Sequence, residues 1–177
     1  MERNVMIKLA YDGSYFHGWQ IQNNANSVQE CFQSALYKII GAEPDIKACS
    51  RTDTGVHAKV FCISAIIDNP ITNERLTGAL NHFLPEYVAC LDCFDVPMDF
   101  HARYSCKGKE YIYVIHNNPV RDPFLDKKAL HYWYPMDEKK MNEAAQHLIG
   151  THNFRSFCTV DARKSDNMVR TVHSAKV

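Results

Sequence analysis

The chain has 177 residues, a hydrophobic fraction of 46%, a charged fraction of 23% and a formal net charge of zero. That length suffices for one domain or two small lobes sharing a core, with the balance of an ordinary soluble globular protein. No apolar stretch approaches the roughly 20 residues of a membrane helix. The neutral balance argues weakly against nucleic-acid binding, although a local basic cleft can coexist with acidic outer faces. The seven cysteines lie mostly in apolar segments, which favours reduced, buried thiols and a cytoplasmic location. The start, Met1-Glu2-Arg3-Asn4, leads directly into a strand-like run without signal-peptide architecture.

Residues 5–11 read as the first strand, followed by a turn at Asp12-Gly13-Ser14. Residues 27–41 give the clearest helix. Val28, Cys31, Phe32, Ala35, Leu36, Ile39 and Ile40 keep the spacing of one helical face, Ser27 and Glu30 form a capping-box pattern, and Gly41 can end the helix. Residues 45–49 and 60–67 are short, apolar and strand-like. Leu76, Ala79, Leu80 and Phe83 mark a second helix that stops before Pro85, and residues 87–96 return as a strand. Strand, helix, strand, strand, helix, strand is the split pattern of a ferredoxin-like half.

A second cycle is expected to open with a strand at 111–116, dense in aromatic and β-branched residues. The stretch 117–126, with Pro119 and Pro123, reads as a loop. Met141, Ala144, Ala145, Leu148 and Ile149 predict a helix with Gly150 as its stop, and 169–177 predicts the next strand. The expected fold is α+β: two ferredoxin-like halves, 1–105 and an incomplete 106–177, forming a largely antiparallel sheet with helices on one face.

Between the strands at 45–49 and 60–67 lies the run Ser50-Arg51-Thr52-Asp53-Thr54-Gly55-Val56-His57-Ala58. It sets a guanidinium, a hydroxyl and a carboxylate on one short loop, where Gly55 permits a tight turn. On spacing alone this is either a functional loop or a surface turn with a local Arg–Asp pair.

Arg51-Thr52-Asp53-x-Gly55-Val56-His57-Ala58 resembles the signature of the tRNA pseudouridine synthase A family. Further matches follow in the family's order: residues 11–20 (Tyr-Asp-Gly-Ser-Tyr-Phe-His-Gly-Trp-Gln), Ser27-Val28-Gln29-Glu30, Phe100-His101-Ala102-Arg103-Tyr104, Lys109-Glu110-Tyr111-Ile112-Tyr113, residues 150–157 and Val169-Arg170-Thr171-Val172. The run Lys59-Val60-Phe61-Cys62-Ile63 departs from the family's usual glycine and glutamine at this point and leaves the signature loop intact.

The resemblance implies isomerisation of uridine to pseudouridine in the anticodon stem-loop of tRNA. Asp53 is then the catalytic aspartate, Arg51 and Tyr111 bind the extruded nucleotide, and 100–104 (Phe100, His101, Ala102, Arg103, Tyr104) line a central RNA-binding cleft. Arg103 is the best phosphate contact there, with Lys107 and Lys109 able to add to it. Tyr113 shares the expected strand face with Tyr111, so local pattern does not choose the stacking ring. Trp19 and Gln20 are further site candidates. His57 is expected to support the loop. The family acts as a homodimer and needs neither cofactor nor metal.

Other readings stay open at this level. Cys90-Leu91-Asp92-Cys93 has zinc-like spacing, but a lone pair reads as structural. Asp12 and Asp53 as paired carboxylates would suit a glycosidase, and a hydrolase of a nucleoside bond is a related possibility. By resemblance the family continues past this sequence with a further strand and helix. A non-catalytic RNA-binding fragment is therefore the alternative function.

Overall fold

Alternation decides the first strand. In β1 (Arg3–Tyr11), Val5, Ile7, Leu9 and Tyr11 all turn to one side and are buried. A computed structural model describes residues 2–159 and 167–177, and the chain divides into two compact units, Met1–Ile112 and Tyr113–Val177.

The first unit runs β1, α1 (Val28–Ile40), β2 (Ile46–Ala48), β3 (Ala58–Ile67), α2 (Asn73–Phe83) and β4 (Val88–Val96). Its sheet has the order β2-β3-β1-β4, with antiparallel pairing throughout. The apolar face of β1 meets Phe32 and Leu36 of α1 and Leu76 and Leu80 of α2 in one core. Burying each such side chain contributes about 1.5–3 kcal/mol. The caps of α1 are those its sequence suggests. Ser27 Oγ accepts the Glu30 amide at 3.2 Å, and Gly41 follows the last turn in the left-handed region. Thr72 caps α2 in the same way.

Two bulges adjust which residues face the core. Leu9 pairs with Phe61 and Tyr11 with Ala58, so β3 sets Lys59 and Val60 against Ala10 alone. On the other side Lys8 pairs with Asp92 and Leu9 with Cys90, leaving Leu91 as the extra residue. That bulge lets Cys90 and Cys93 both turn inward, three positions apart.

The face of the sheet away from the helices carries two buried polar side chains, Asn4 and Ser64. Asn4 Nδ2 donates to the carbonyls of Pro97 at 3.0 Å and Phe100 at 2.9 Å, and Ser64 Oγ accepts the Ala102 amide at 3.1 Å. The segment after β4 is thereby strapped across this face.

In the second unit β5 (Ile115–Asn117) pairs parallel with β6 (Leu130–Tyr132), and β7 (Gly150–Asn153) pairs antiparallel with β8 (Val169–Val172). Helix α3 (Glu138–Gln146) is capped by Asp137, which accepts the Lys140 amide at 3.0 Å. Three sequence expectations change here. Residues 111–114 are not strand: Tyr111, Ile112, Tyr113 and Val114 are 83%, 62%, 76% and 49% exposed, so the half-buried surface that β-propensity reports on is missing. The helix stops at Gln146, because Leu148 and Ile149 close tighter turns onto Ala145 and Gln146; Gly150, at φ +107°, opens β7 instead of capping α3. The strand predicted for 169–177 ends at Val172. The fold is thus α+β, with a wholly antiparallel four-stranded sheet in the first unit and one parallel pair in the second.

Candidate active site

Two turns of the first unit hydrogen-bond to each other and build the site. The first follows β1. Asp12 caps the short 3-10 turn Gly13–Tyr15 by accepting the Ser14 amide at 3.0 Å, and the chain then passes through Gly18 and Trp19 to the cap of α1. The second is the loop 50–57 between β2 and β3. The Trp19 amide donates to the Thr52 carbonyl at 3.0 Å, and the Gly55 amide donates to the Phe16 carbonyl at 3.3 Å. The Gly13 amide donates to Nδ1 of His57 at 3.2 Å, and this nitrogen also lies 3.0 Å from Asp12 Oδ1. His57 thus supports the loop from below. Contact this close requires glycine: a Cβ on Gly18, at φ +93°, would stand 2.6 Å from the Thr52 carbonyl oxygen.

An aromatic layer underlies both turns. Trp19 and Phe61 have ring centroids 4.4 Å apart, and Tyr11 meets Phe61 edge-on at 5.6 Å; all three are buried. The Tyr11 hydroxyl reaches through this layer to within 2.9 Å of Thr52 Oγ1. Burial pushes the Tyr11 phenol up to about 12, against a smaller opposing effect of the Thr52 hydrogen bond, so it is protonated at neutral pH.

Above the layer the loop presents Arg51 and Asp53, both exposed. Among the described residues neither is held in an ion pair, so the local Arg–Asp pair of a plain surface turn does not form. A concavity of about 580 Å³ opens here, lined by His17, Gln20, Ile21, Gln22 and residues 51–54. A second, of about 480 Å³, shares Gln20 and Arg51 with the first and extends over β2 to His101, Arg103, Tyr104 and Lys109. Lys47, Arg51, Arg103 and Lys109 all line the second concavity, and no Asp or Glu does. In a chain of zero net charge this is a local concentration of positive charge. Lys109 Nζ is steered towards it by Ser50 Oγ at 3.2 Å.

The segment 100–104 divides by exposure. Ala102 is buried and Phe100 half-buried, both tied to the sheet through Ser64 and Asn4. His101 Nδ1 accepts the Arg103 amide at 3.2 Å, and its ring lies 4.4 Å from that of Tyr104, which is 79% exposed. Tyr111 is exposed and lines neither concavity, while Tyr113 falls in the second unit. The structure therefore brings Arg51, Asp53, His101, Arg103 and Tyr104 around adjoining concavities and leaves Tyr111 outside them. Lys47, Tyr11, Asn4 and Ser64 were not singled out from sequence. For Ser64 the signal was present: it is a polar residue inside an apolar strand, and a buried polar group needs a partner; Asn4, beside Arg3 and ahead of the strand read at 5–11, gives no such signal.

The cysteine pair is structural in form. Cys90 and Cys93 have sulfurs 3.7 Å apart, and their mutual hydrogen bond, together with burial, raises the Cys90 thiol. Among the described residues no group of three or more His, Cys, Asp or Glu side chains is placed to hold a metal ion.

Comparison with known proteins bears on what this arrangement does. A family model described as tRNA pseudouridine synthase matches residues 8–105 and 144–177, which include the loop 50–57 and the turn after β1 that supports it. The chain is 41% identical over 175 residues to tRNA pseudouridine synthase A of Thermoanaerobacter sp., covering 99% of this chain and 71% of that protein. It is 43% identical over 167 residues to tRNA pseudouridine synthase A of Listeria innocua, covering 94% and 67% respectively. With tRNA pseudouridine synthase A of Ruminiclostridium cellulolyticum the identity is 38% over 155 residues, or 88% and 63% of the two chains. The chain therefore belongs to the tRNA pseudouridine synthase family and is an enzyme of the isomerase class.

Proposed function

We propose that this protein converts uridine to pseudouridine in the anticodon stem-loop of tRNA, with Asp53 as the catalytic aspartate. The observation that carries the reading is the placement of Asp53: an exposed carboxylate on a loop pinned at Thr52 and at Gly55, lining a concavity of about 580 Å³. The reaction breaks the bond between ribose and uracil, turns the base and rejoins it through a carbon. A carboxylate serves this as a nucleophile on the base or the sugar, or assists proton removal from the new carbon–carbon bond. Either route needs reacting atoms held about 3–3.5 Å apart, which is what a pinned loop provides.

Binding follows from the same geometry. A stacked uridine hides its reacting atoms, so the base must be extruded, and loop nucleotides are the easiest to splay out. Arg51 lines both concavities and is assigned to a phosphate of the extruded nucleotide. Tyr111, exposed and outside both concavities, is assigned to stacking on uracil from its place in the family resemblance and not from the geometry of the concavities. The acid-free second concavity is assigned to the RNA backbone. Arg103 is the principal contact of the 100–104 segment there, His101 and Tyr104 offer a ring surface, and Lys109 adds charge, whereas Lys47 is paired with Asp45 at 2.6 Å.

The order βαββαβ with strands arranged β4-β1-β3-β2 supports a ferredoxin-like first half. The wider reading is a half carrying the catalytic loop (1–105), a second half (106–177), a central RNA cleft, and a homodimer acting in the cytoplasm. Among the described residues no helix is long and apolar enough to cross a membrane. The test is incubation with unmodified tRNA followed by nucleoside analysis. Pseudouridine in the anticodon stem-loop supports the proposal; free uracil would mark a hydrolase, and binding with neither product a binding module.

A further inference from the structure

We propose that the Tyr11 hydroxyl is a positioning group for the reaction: through its hydrogen bond to Thr52 it sets how the next residue, Asp53, enters the concavity. The inference rests on the reading of Asp53 as catalytic and adds a residue to it.

Tyr11 is well placed to be a fixed reference point. It is the last residue of β1, an interior strand, and pairs with Ala58 of β3 on one side and Val88 of β4 on the other. The bulge at Lys59 and Val60 keeps Leu9, Tyr11 and Phe61 on the same face, so the Tyr11 ring is packed among core residues and only 4% exposed. Bulges of this kind recur next to active sites, where they re-aim side chains.

Packing alone does not call for the hydroxyl. Phe16 and Phe61 fill the same apolar region without one, and burying a polar group is unfavourable unless it is hydrogen-bonded. The Tyr11 oxygen has its partner in Thr52 Oγ1 at 2.9 Å. Among the described residues this is the side-chain hydrogen bond closest in sequence to Asp53. The backbone bonds from Trp19 and Gly55 fix the loop's path, whereas this one ties the side chain of Thr52, directly before Asp53, to the core. Because burial keeps the phenol protonated, it remains available as a donor across the working pH range.

The test compares Tyr11→Phe, Thr52→Val, the double variant and Thr52→Ser in the intact protein, with Asp53→Asn alongside. Each is assayed for kcat and KM on tRNA and for melting temperature. Tyr11→Phe and Thr52→Val should each lower kcat by about ten- to a hundredfold, the scale of an ångström-sized misplacement, with KM nearly unchanged. The double variant should lose no more than the worse single one, and Thr52→Ser, which keeps the hydroxyl, should retain kcat. Wild-type kcat in Tyr11→Phe, with or without a lower melting temperature, would reduce the bond to a structural one and overturn the proposal. Losses that multiply in the double variant would overturn it too, since the two groups would then act separately. Asp53→Asn reports independently: if it stays active, the assignment of Asp53 fails, whatever Tyr11 does.

Discussion

The Trp19 amide and the Thr52 carbonyl, 3.0 Å apart, join the turn after β1 to the residue directly before Asp53. Trp19 is itself buried against Phe61, so a loop with an exposed tip is referred to the rigid core of the first unit within one residue of its candidate catalytic group. Loops that carry chemistry need such anchoring, because geometry lost at the tip is lost at the reacting atoms.

Gly18 is the position where this junction is most easily broken. Gly18→Ala forces a Cβ towards the Thr52 carbonyl in a left-handed backbone conformation. The expected cost is about 1–3 kcal/mol of stability, with a larger proportional loss of tRNA isomerisation than of tRNA binding. Thermal unfolding, filter binding and pseudouridine yield measured on one preparation check all three.

The second concavity makes a prediction about salt. Arg103→Gln and Lys109→Gln should each lower the slope of log binding constant against log salt concentration for tRNA by about one unit. A substitution at Lys38, on the outer side of α1, should leave the slope unchanged. Equal slopes in all variants would place the RNA backbone elsewhere.

Asn4 holds the 100–104 segment from beneath. Asn4→Ala removes the hydrogen bonds to Pro97 and Phe100 and leaves both carbonyls without that donor. The expected destabilisation is about 1–3 kcal/mol, accompanied, if the segment serves docking as proposed, by a higher KM for tRNA and a nearly unchanged kcat. Denaturant titration and steady-state kinetics separate the two effects.

The buried phenol of Tyr11 predicts an alkaline weakness. Its ionisation is pushed from 10.0 in the open chain to about 12 in the folded protein. Below 10 both states carry the proton and the contribution to stability is complete. Between 10 and 12 only the unfolded state releases it, so folding weakens as pH rises. Tyr11→Phe should therefore show a shallower fall in melting temperature across that window than the wild-type protein.

Much of the first unit was legible because its signals are local. The face and caps of α1 are written in consecutive residues, and the polar loop containing Arg51 and Asp53 stands between two apolar strands. What was not legible depends on partners distant in sequence. The aromatic and β-branched run at 111–114 satisfies a strand preference, but β5 begins only at Ile115, where β6 supplies a neighbour. The bulge at Leu91 that turns both Cys90 and Cys93 inward is set by the register with β1. Lys47 joins the basic concavity because β2 lies alongside the strapped segment, and no local pattern around Lys47 announces it.

The proposed chemistry rests on Asp53. The most direct measurement is the single-turnover rate of pseudouridine formation in tRNA by Asp53→Asn, with tRNA affinity determined on the same sample. The amide keeps the shape of the side chain but cannot act as nucleophile or base, so no detectable pseudouridine is expected while tRNA still binds within a few-fold of wild type. Pseudouridine formed at a rate near that of the wild-type protein would contradict it.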